Sequence, residues 1–118
     1  MTRLSHERVL KALVDLGLSE MEAEVYIFLA TKGPQKARNI AAALKFYERQ
    51  LDGSLKNLGE KGIISATVEQ PAKFSAIPFG KLLDMLIKAH LKEAQDIEQN
   101  REEILSDWHS MITEGSAS

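Results

Sequence analysis

The chain has 118 residues, 44% of them hydrophobic and 27% charged, which fits one ordinary globular domain with an appendage. It contains no cysteine, so disulfides and thiolate metal sites are excluded and a reducing cytoplasm is the expected setting. The net charge is −2, no apolar run approaches the roughly 20 residues that cross a bilayer, and the first residues lack the apolar core of a signal peptide, so the protein is expected in the cytosol.

The first helix is expected from about Ser5 to Leu16, with Val9, Leu10, Leu13 and Leu16 on its apolar side and Gly17 ending it in a left-handed turn. Ser19 and Glu22 stand at capping-box spacing, with Leu18 where a hydrophobic staple belongs. They open a second helix over about 20–31 that buries Ala23, Tyr26, Ile27, Leu29 and Ala30, and Gly33-Pro34 stops it.

A third helix is expected over about 35–44, because Ala37, Ile40, Ala41 and Leu44 fall at i, i+3, i+4 and i+7. Lys45-Phe46 interrupts that stripe. A fourth helix follows over about 47–61, with Leu51, Leu55 and Leu58 inward and Gly62 just past its end. Two short amphipathic helices joined by so brief a turn cross steeply, which lets the second protrude into a DNA major groove. Residues 63–68 are β-rich, Glu69-Gln70-Pro71-Ala72 make a turn, and residues 73–77 return as a second strand. A hairpin after the second helix of such a pair is the wing of a winged helix-turn-helix.

From about Phe79 to Met111 there is no proline, and the only glycine is Gly80. One helix of about 30 residues, close to 45–50 Å long, is expected there. Leu83, Leu86, His90, Ala94, Ile97, Arg101, Ile104, Trp108 and Met111 form its apolar or semi-apolar seam, spaced by alternating four and three from His90 onward. The steps of four on both sides of His90 mark a stutter. A small domain cannot cover so long a seam, so a second copy is the simplest partner. Trp108 is read as a dimer anchor, and His90 and Arg101 as polar layers or side chains reaching the rim. Whether the paired helices run parallel or antiparallel is left open. The expected fold class is mainly α with a small β-hairpin: a winged helix-turn-helix over 1–78, a coiled-coil-like dimerisation helix over 79–113 and a disordered tail over 114–118.

Charge distribution says more than the total. Residues 1–78 carry 11 Lys and Arg against 9 Asp and Glu, while residues 79–118 carry 4 against 8. Within 31–57, Lys32, Lys36, Arg38, Lys45, Arg49 and Lys56 are opposed only by Glu48 and Asp52. On the fourth helix, Arg49, Gly53, Lys56, Asn57 and Glu60 point away from the leucines, with Gln50 on the shoulder. Arg49 and Gln50 suit bidentate contacts to guanine and adenine. Gly53 permits close backbone approach to the groove, or is simply tolerated. Tyr47, Ser54 and Asn57 suit phosphate contacts as neutral donors. Lys36 and Arg38 near the start of the third helix and Lys45 in the turn suit phosphate as well, and Lys73 is the only base in the wing, so minor-groove reading there is expected to be weak. Glu48 and Asp52 either select cytosine, repel wrong sites, or indicate a protein-binding surface.

Motifs for catalysis are missing: His6, His90 and His109 are far apart, and no HExxH, phosphate loop or GxSxG occurs. No metal, cofactor or catalytic residue is expected.

Gly17-Leu18-Ser19, Glu22-Ala23, Val25-Tyr26, Leu29, Gly33, Ala37 and Ile40-Ala41 resemble the opening of the TrmB-like archaeal transcriptional regulators. Leu55, Leu58, Lys61-Gly62-Ile63-Ile64 and Phe74-Ser75-Ala76-Ile77-Pro78 resemble that family's second helix, first wing strand and wing exit. The resemblance covers about residues 10–90; the MarR and ArsR groups share parts of it. It implies an archaeal, short, single-domain member. Tyr47 stands where the family commonly has a proline, and Leu51-Asp52 where it often has Val-Tyr, so no operator carries over. Larger sugar-responsive members bear a C-terminal effector domain; only a helix follows here, so sugar sensing is not implied. The leading expectation is a homodimeric, sequence-specific double-stranded DNA-binding regulator, with room for an unidentified small-molecule or protein effector. The alternative is a winged-helix module for protein assembly without DNA binding.

Overall fold

The computed structural model describes residues 3–117. In chain order it has α1 (Arg3–Asp15), α2 (Glu20–Lys32), β1 (Gln35–Lys36), α3 (Ala37–Leu44), α4 (Glu48–Glu60), β2 (Ile64–Ala66), β3 (Lys73–Ala76), α5 (Phe79–Gln99) and α6 (Arg101–Ala117). This is a mainly helical winged helix-turn-helix with a three-stranded antiparallel sheet.

The ends of the helices are set by local chemistry. Gly17 and Gly62 take φ of 112° and 78°, the left-handed region where a side chain is penalised. The chain there folds back so that the Leu18 N–H donates to the Leu13 carbonyl at 3.1 Å and the Ile63 N–H to the Leu58 carbonyl at 2.9 Å. The start of α2 is a complete capping box. The Ser19 hydroxyl accepts from the Glu22 N–H at 3.1 Å, and the Glu22 carboxylate accepts from the Ser19 N–H at 2.9 Å. Leu18 and Ala23, the staple pair flanking that box, are both buried.

α2 is the hub of the core. It buries Ala23, Val25, Tyr26 and Leu29 and packs against α1, α3, α4 and β3. Val25 is buried where Ala30 was expected to be; Ala30 is exposed and Ile27 half-buried. Leu13 of α1, Ile40 and Ala41 of α3, Leu51, Leu55 and Leu58 of α4, and Ile63 and Ile64 complete the core with Leu82 and Leu86 of α5. The Tyr26 hydroxyl donates to the Ile77 carbonyl at 2.7 Å, which ties α2 to the strand leaving the wing.

Three expectations are corrected. Gln35 and Lys36 do not begin the third helix; they form β1, which pairs with β3 and makes the sheet order β1-β3-β2. The long C-terminal helix is interrupted at Asn100. The side-chain amide of Asn100 donates to the Asp96 carbonyl at 2.9 Å, and its N–H is shared between the carbonyls of Asp96 and Ile97 at 3.1 and 3.2 Å. The helix then continues to Ala117, over positions 114–117 expected to be disordered; Ser118 lies outside the described residues.

The chain divides into two compact units, the first reaching Leu86 and the second beginning at Ile87. The division does not follow Pro78, because Leu82 and Leu86 are buried among the residues of the first unit. Among the described residues, no helix is long and apolar enough to cross a membrane.

Candidate nucleic-acid interface

α4 has two unlike faces. Leu51, Ser54, Leu55 and Leu58 are buried, whereas Arg49, Gln50, Asp52, Gly53, Lys56 and Asn57 are exposed. Ser54 is therefore a correction. It was read as a phosphate donor, but it lies one turn from Leu51 and Leu58 on the inward side and is 9% exposed. Tyr47 occupies the N-cap of α4 without a capping hydrogen bond from its side chain, and it is 79% exposed. The ring and hydroxyl of Tyr47 therefore stand outside the core at the start of this helix.

The turn between α3 and α4 is as short as the sequence implies. Lys45 caps α3 in the left-handed conformation, with φ 60° and ψ 40°, and its N–H returns to the Ala41 carbonyl. The Phe46 N–H reaches the same carbonyl at 3.0 Å. A residue with a side chain is strained in this conformation by about 1–2 kcal/mol. The exposed Lys45 side chain is held at the corner between the two helices.

β1 changes the wing. Lys36 and Lys73 are cross-strand partners in the β1–β3 ladder, as are Gln35 and Phe74. Directly paired residues of an antiparallel ladder place their side chains on one face, about 4.5–5.5 Å apart at Cβ. Two lysine side chains thus leave the same face of the wing. Nothing in the spacing of residues 36 and 73 announced this, since a two-residue strand carries no readable period. Lys36 and Arg38 also line a cleft of about 580 Å³ with Glu48, Gln70, Pro71 and Ala72. The start of α3, the start of α4 and the wing turn therefore meet around one concavity, and Gln70 joins the candidate residues. Lys56 is set apart: it lines a separate depression with Asp52, Glu60 and Ser65, toward β2. At Gly53 an added Cβ would meet nothing within 4 Å, so packing within the chain does not require glycine there.

A short helix with a buried leucine side and an exposed polar side, held by a tight turn against a second helix and followed by a wing, is the geometry of a winged helix-turn-helix reader. The profile of the family described as "Sugar-specific transcriptional regulator TrmB" matches residues 13–80, more than half of the chain. The chain belongs to the TrmB family of transcriptional regulators. The matched span of this TrmB-family chain runs from the end of α1 through the wing to the start of α5. Among curated proteins, none matches significantly.

Solved structures of other regulators share the fold. A transcriptional regulator of Thermotoga maritima aligns over 97% of this chain and 88% of its own, at 13% identity and a TM-score of 0.57. A possible transcriptional regulator of Methanosarcina mazei aligns over 82% of this chain and 86% of its own, at 19% identity and a TM-score of 0.59. MepR, a transcription regulator of the Staphylococcus aureus multidrug efflux pump MepA, covers 92% and 88% at 16% identity and a TM-score of 0.54. At such identities the likeness is one of fold.

Leu86, expected on the dimer seam, is 9% exposed within the core of its own chain, a second correction at the level of site residues. Leu82, absent from the expected seam, is fully buried beside it. Leu83 is half-buried, and the remaining seam residues His90, Ala94, Ile97, Arg101, Ile104, Trp108 and Met111 are exposed.

Proposed function

We propose that the protein is a cytoplasmic homodimer that regulates transcription by seating α4 in the major groove of double-stranded DNA, without catalysis. The observation that carries this reading is the division of α4 into a buried leucine face and an exposed face bearing Arg49, Gln50, Gly53, Lys56 and Asn57. Arg49 and Gln50, near the amino end of α4, read base edges, for which their paired donors and acceptors are suited. Gly53 lets the helix backbone approach the groove floor. Tyr47, Asn57, Arg38 and Lys45 hold the flanking phosphates, positioning the helix without reading sequence. The Lys36–Lys73 pair, on one face of the wing, takes a further phosphate.

Fluorescence anisotropy with labelled duplexes over a salt series tests the assignment. Each phosphate contact contributes about 0.9 to the slope of log affinity against log salt. Lys36→Ala and Lys73→Ala should therefore each flatten the slope by at most about that amount, and the double variant by less than the sum, because the two share one phosphate. Arg49→Ala should weaken the preferred duplex by about 1–3 kcal/mol while leaving random duplexes little changed. Sequencing duplexes retained from a random pool identifies the preferred site. Unchanged binding in all these variants would move DNA to another surface, whereas no duplex binding at any salt concentration would favour the assembly reading, in which the exposed carboxylates Glu48 and Asp52 contact a protein.

A further inference from the structure

Two concavities of the winged unit meet at one wall, since Ala37 and Phe74 line both. The first is the cleft of about 580 Å³ that holds Lys36 and Arg38. The second, of about 450 Å³, runs between α4 and the wing toward β2. Its floor is apolar. Ala66 and Phe74 are direct partners in the β2–β3 ladder, and Ile64 stands two residues before Ala66, so the three side chains leave one face of the sheet. Leu55 and Gly59, one turn apart on α4, border the groove opposite them. Either volume lies in the range of small-molecule sites, about 300–1,000 Å³. Only three residues make up β2, too short an edge to hold an added peptide strand firmly, which argues for a small ligand.

The charges are divided between the two ends. Lys36 and Arg38 stand in the first concavity with a single acid, Glu48, so two bases face one acid. Asp52 and Glu60 stand in the second with a single base, Lys56, so two acids face one base. Among the described residues, none of these side chains is held in an ion pair. An anion is therefore drawn to one end of the trough and repelled from the other. An apolar chain gains instead by burial along Leu55, Ile64 and Phe74.

We propose that this trough binds a small amphipathic monoanion, a slender aliphatic carboxylic acid, and that its binding releases DNA. The carboxylate lies between Lys36 and Arg38, where one negative charge balances the local excess and the guanidinium donates two parallel hydrogen bonds. The hydrocarbon chain passes over Phe74 toward Ile64 and Ala66. A phosphodiester of the DNA backbone also carries one negative charge, so acid and duplex contend for the same two bases. The competition rests on the phosphate contacts assigned above to Lys36 and Arg38; the binding of the acid does not.

The full-length protein is titrated with butanoate, hexanoate, octanoate and octylammonium at constant ionic strength, and the methyl resonances of Ala37, Ile64 and Ala66 are followed by NMR. Each methylene that enters the groove should tighten binding about threefold to fourfold, which is the ratio set by about 0.8 kcal/mol per buried methylene. Octylammonium should bind at least about tenfold more weakly than octanoate, and the Lys36→Ala, Arg38→Ala double variant should weaken octanoate by a similar factor. Octanoate should also displace a labelled duplex, read by anisotropy. Ala66→Trp fills the groove without altering a residue assigned to DNA. It should keep its duplex affinity, lose the dependence on chain length, and hold the duplex in the presence of octanoate. Ala66→Leu repeats the measurement should tryptophan disturb folding by circular dichroism. Equal affinity for octanoate and octylammonium, or for butanoate and octanoate, overturns the proposal, as do shifts confined to the cleft beside Tyr26 and Phe79. Octanoate binding that requires Lys36 and Arg38 yet leaves the duplex bound overturns their assignment to DNA phosphate, and the competition with it, while the acid site stands.

Discussion

Lys45 sits in a left-handed conformation, φ 60°, at the corner of the helix-turn-helix, where glycine would be free of strain. Its retention opposes stability to charge at one position. Lys45→Gly should raise unfolding stability by about 0.5–1 kcal/mol, since relief of the αL penalty exceeds the entropy that glycine adds to the unfolded chain. The same change should lower duplex affinity and flatten its salt dependence; denaturant titration and anisotropy read the two effects separately. Tyr26 presents a different balance. Its hydroxyl donates to the Ile77 carbonyl, and burial pushes its phenol above the usual tyrosine value. A group that holds its proton more tightly when folded contributes stability that is fully present below its unfolded pKa, near 10. The contribution is lost as pH rises through the higher folded value. Stability should therefore fall in the alkaline range above about pH 10. Tyr26→Phe should lessen that decline while costing about 0.5–1.5 kcal/mol near neutrality through the lost hydrogen bond. Denaturant midpoints of the two proteins, measured at neutral and alkaline pH, check both parts.

At the scale of elements, α4 gives the clearest separation of folding from function. Open space surrounds Gly53, so Gly53→Ala should stabilise the helix by about 0.5–1 kcal/mol, seen as a higher melting temperature. Duplex affinity should fall, because the added methyl group occupies the approach to the groove floor; an unchanged affinity would mean that Gly53 does not lie there. The elements that could be read from residues alone are those with strong local chemistry. Ser19 and Glu22 specify the start of α2 at fixed spacing, and the alanine, isoleucine and leucine stripes of α3 and α4 repeat at the helical period. β1 escaped because Gln35-Lys36 is too short to show alternation, and only β3, far along the chain, makes it a strand. Ser54 was misplaced because three leucines define the centre of a buried stripe but not its width. Leu82 and Leu86 were misread for a related reason: the seam beyond His90 was extended backward along one helix, whereas the winged unit takes the start of α5 into its own core. Asn100 interrupts the helix through its side-chain amide, which competes for a backbone carbonyl without altering the apolar period.

For the whole molecule, the position of the boundary decides what a shortened protein would do. A chain ending at Pro78 retains α1–α4 and the wing but loses Leu82 and Leu86, which are 0% and 9% exposed in the core. Loss of a buried leucine side chain costs about 2–5 kcal/mol, against a total stability of only about 5–15 kcal/mol for a typical domain. That truncation should be largely unfolded, and a monomer obtained from it would say nothing about the interface. A chain ending at Leu86 keeps every buried apolar side chain and removes the exposed apolar positions from Ile87 onward. It should fold cooperatively and remain monomeric by light scattering over the range in which the full chain is dimeric. Its reading face is intact, so it should bind an isolated half-site as well as the full chain does. On a duplex with two half-sites it should be weaker by a factor of about 10²–10⁴, because joining two binding modules makes the second contact intramolecular. Equal affinity of the short and full chains for the two-site duplex would show that the second unit contributes nothing to reading. A dimer persisting after removal of residues 87–118 would move the interface into the winged unit, where the cleft lined by Val9, Tyr26, Ile27 and Phe79 offers the next apolar surface to test.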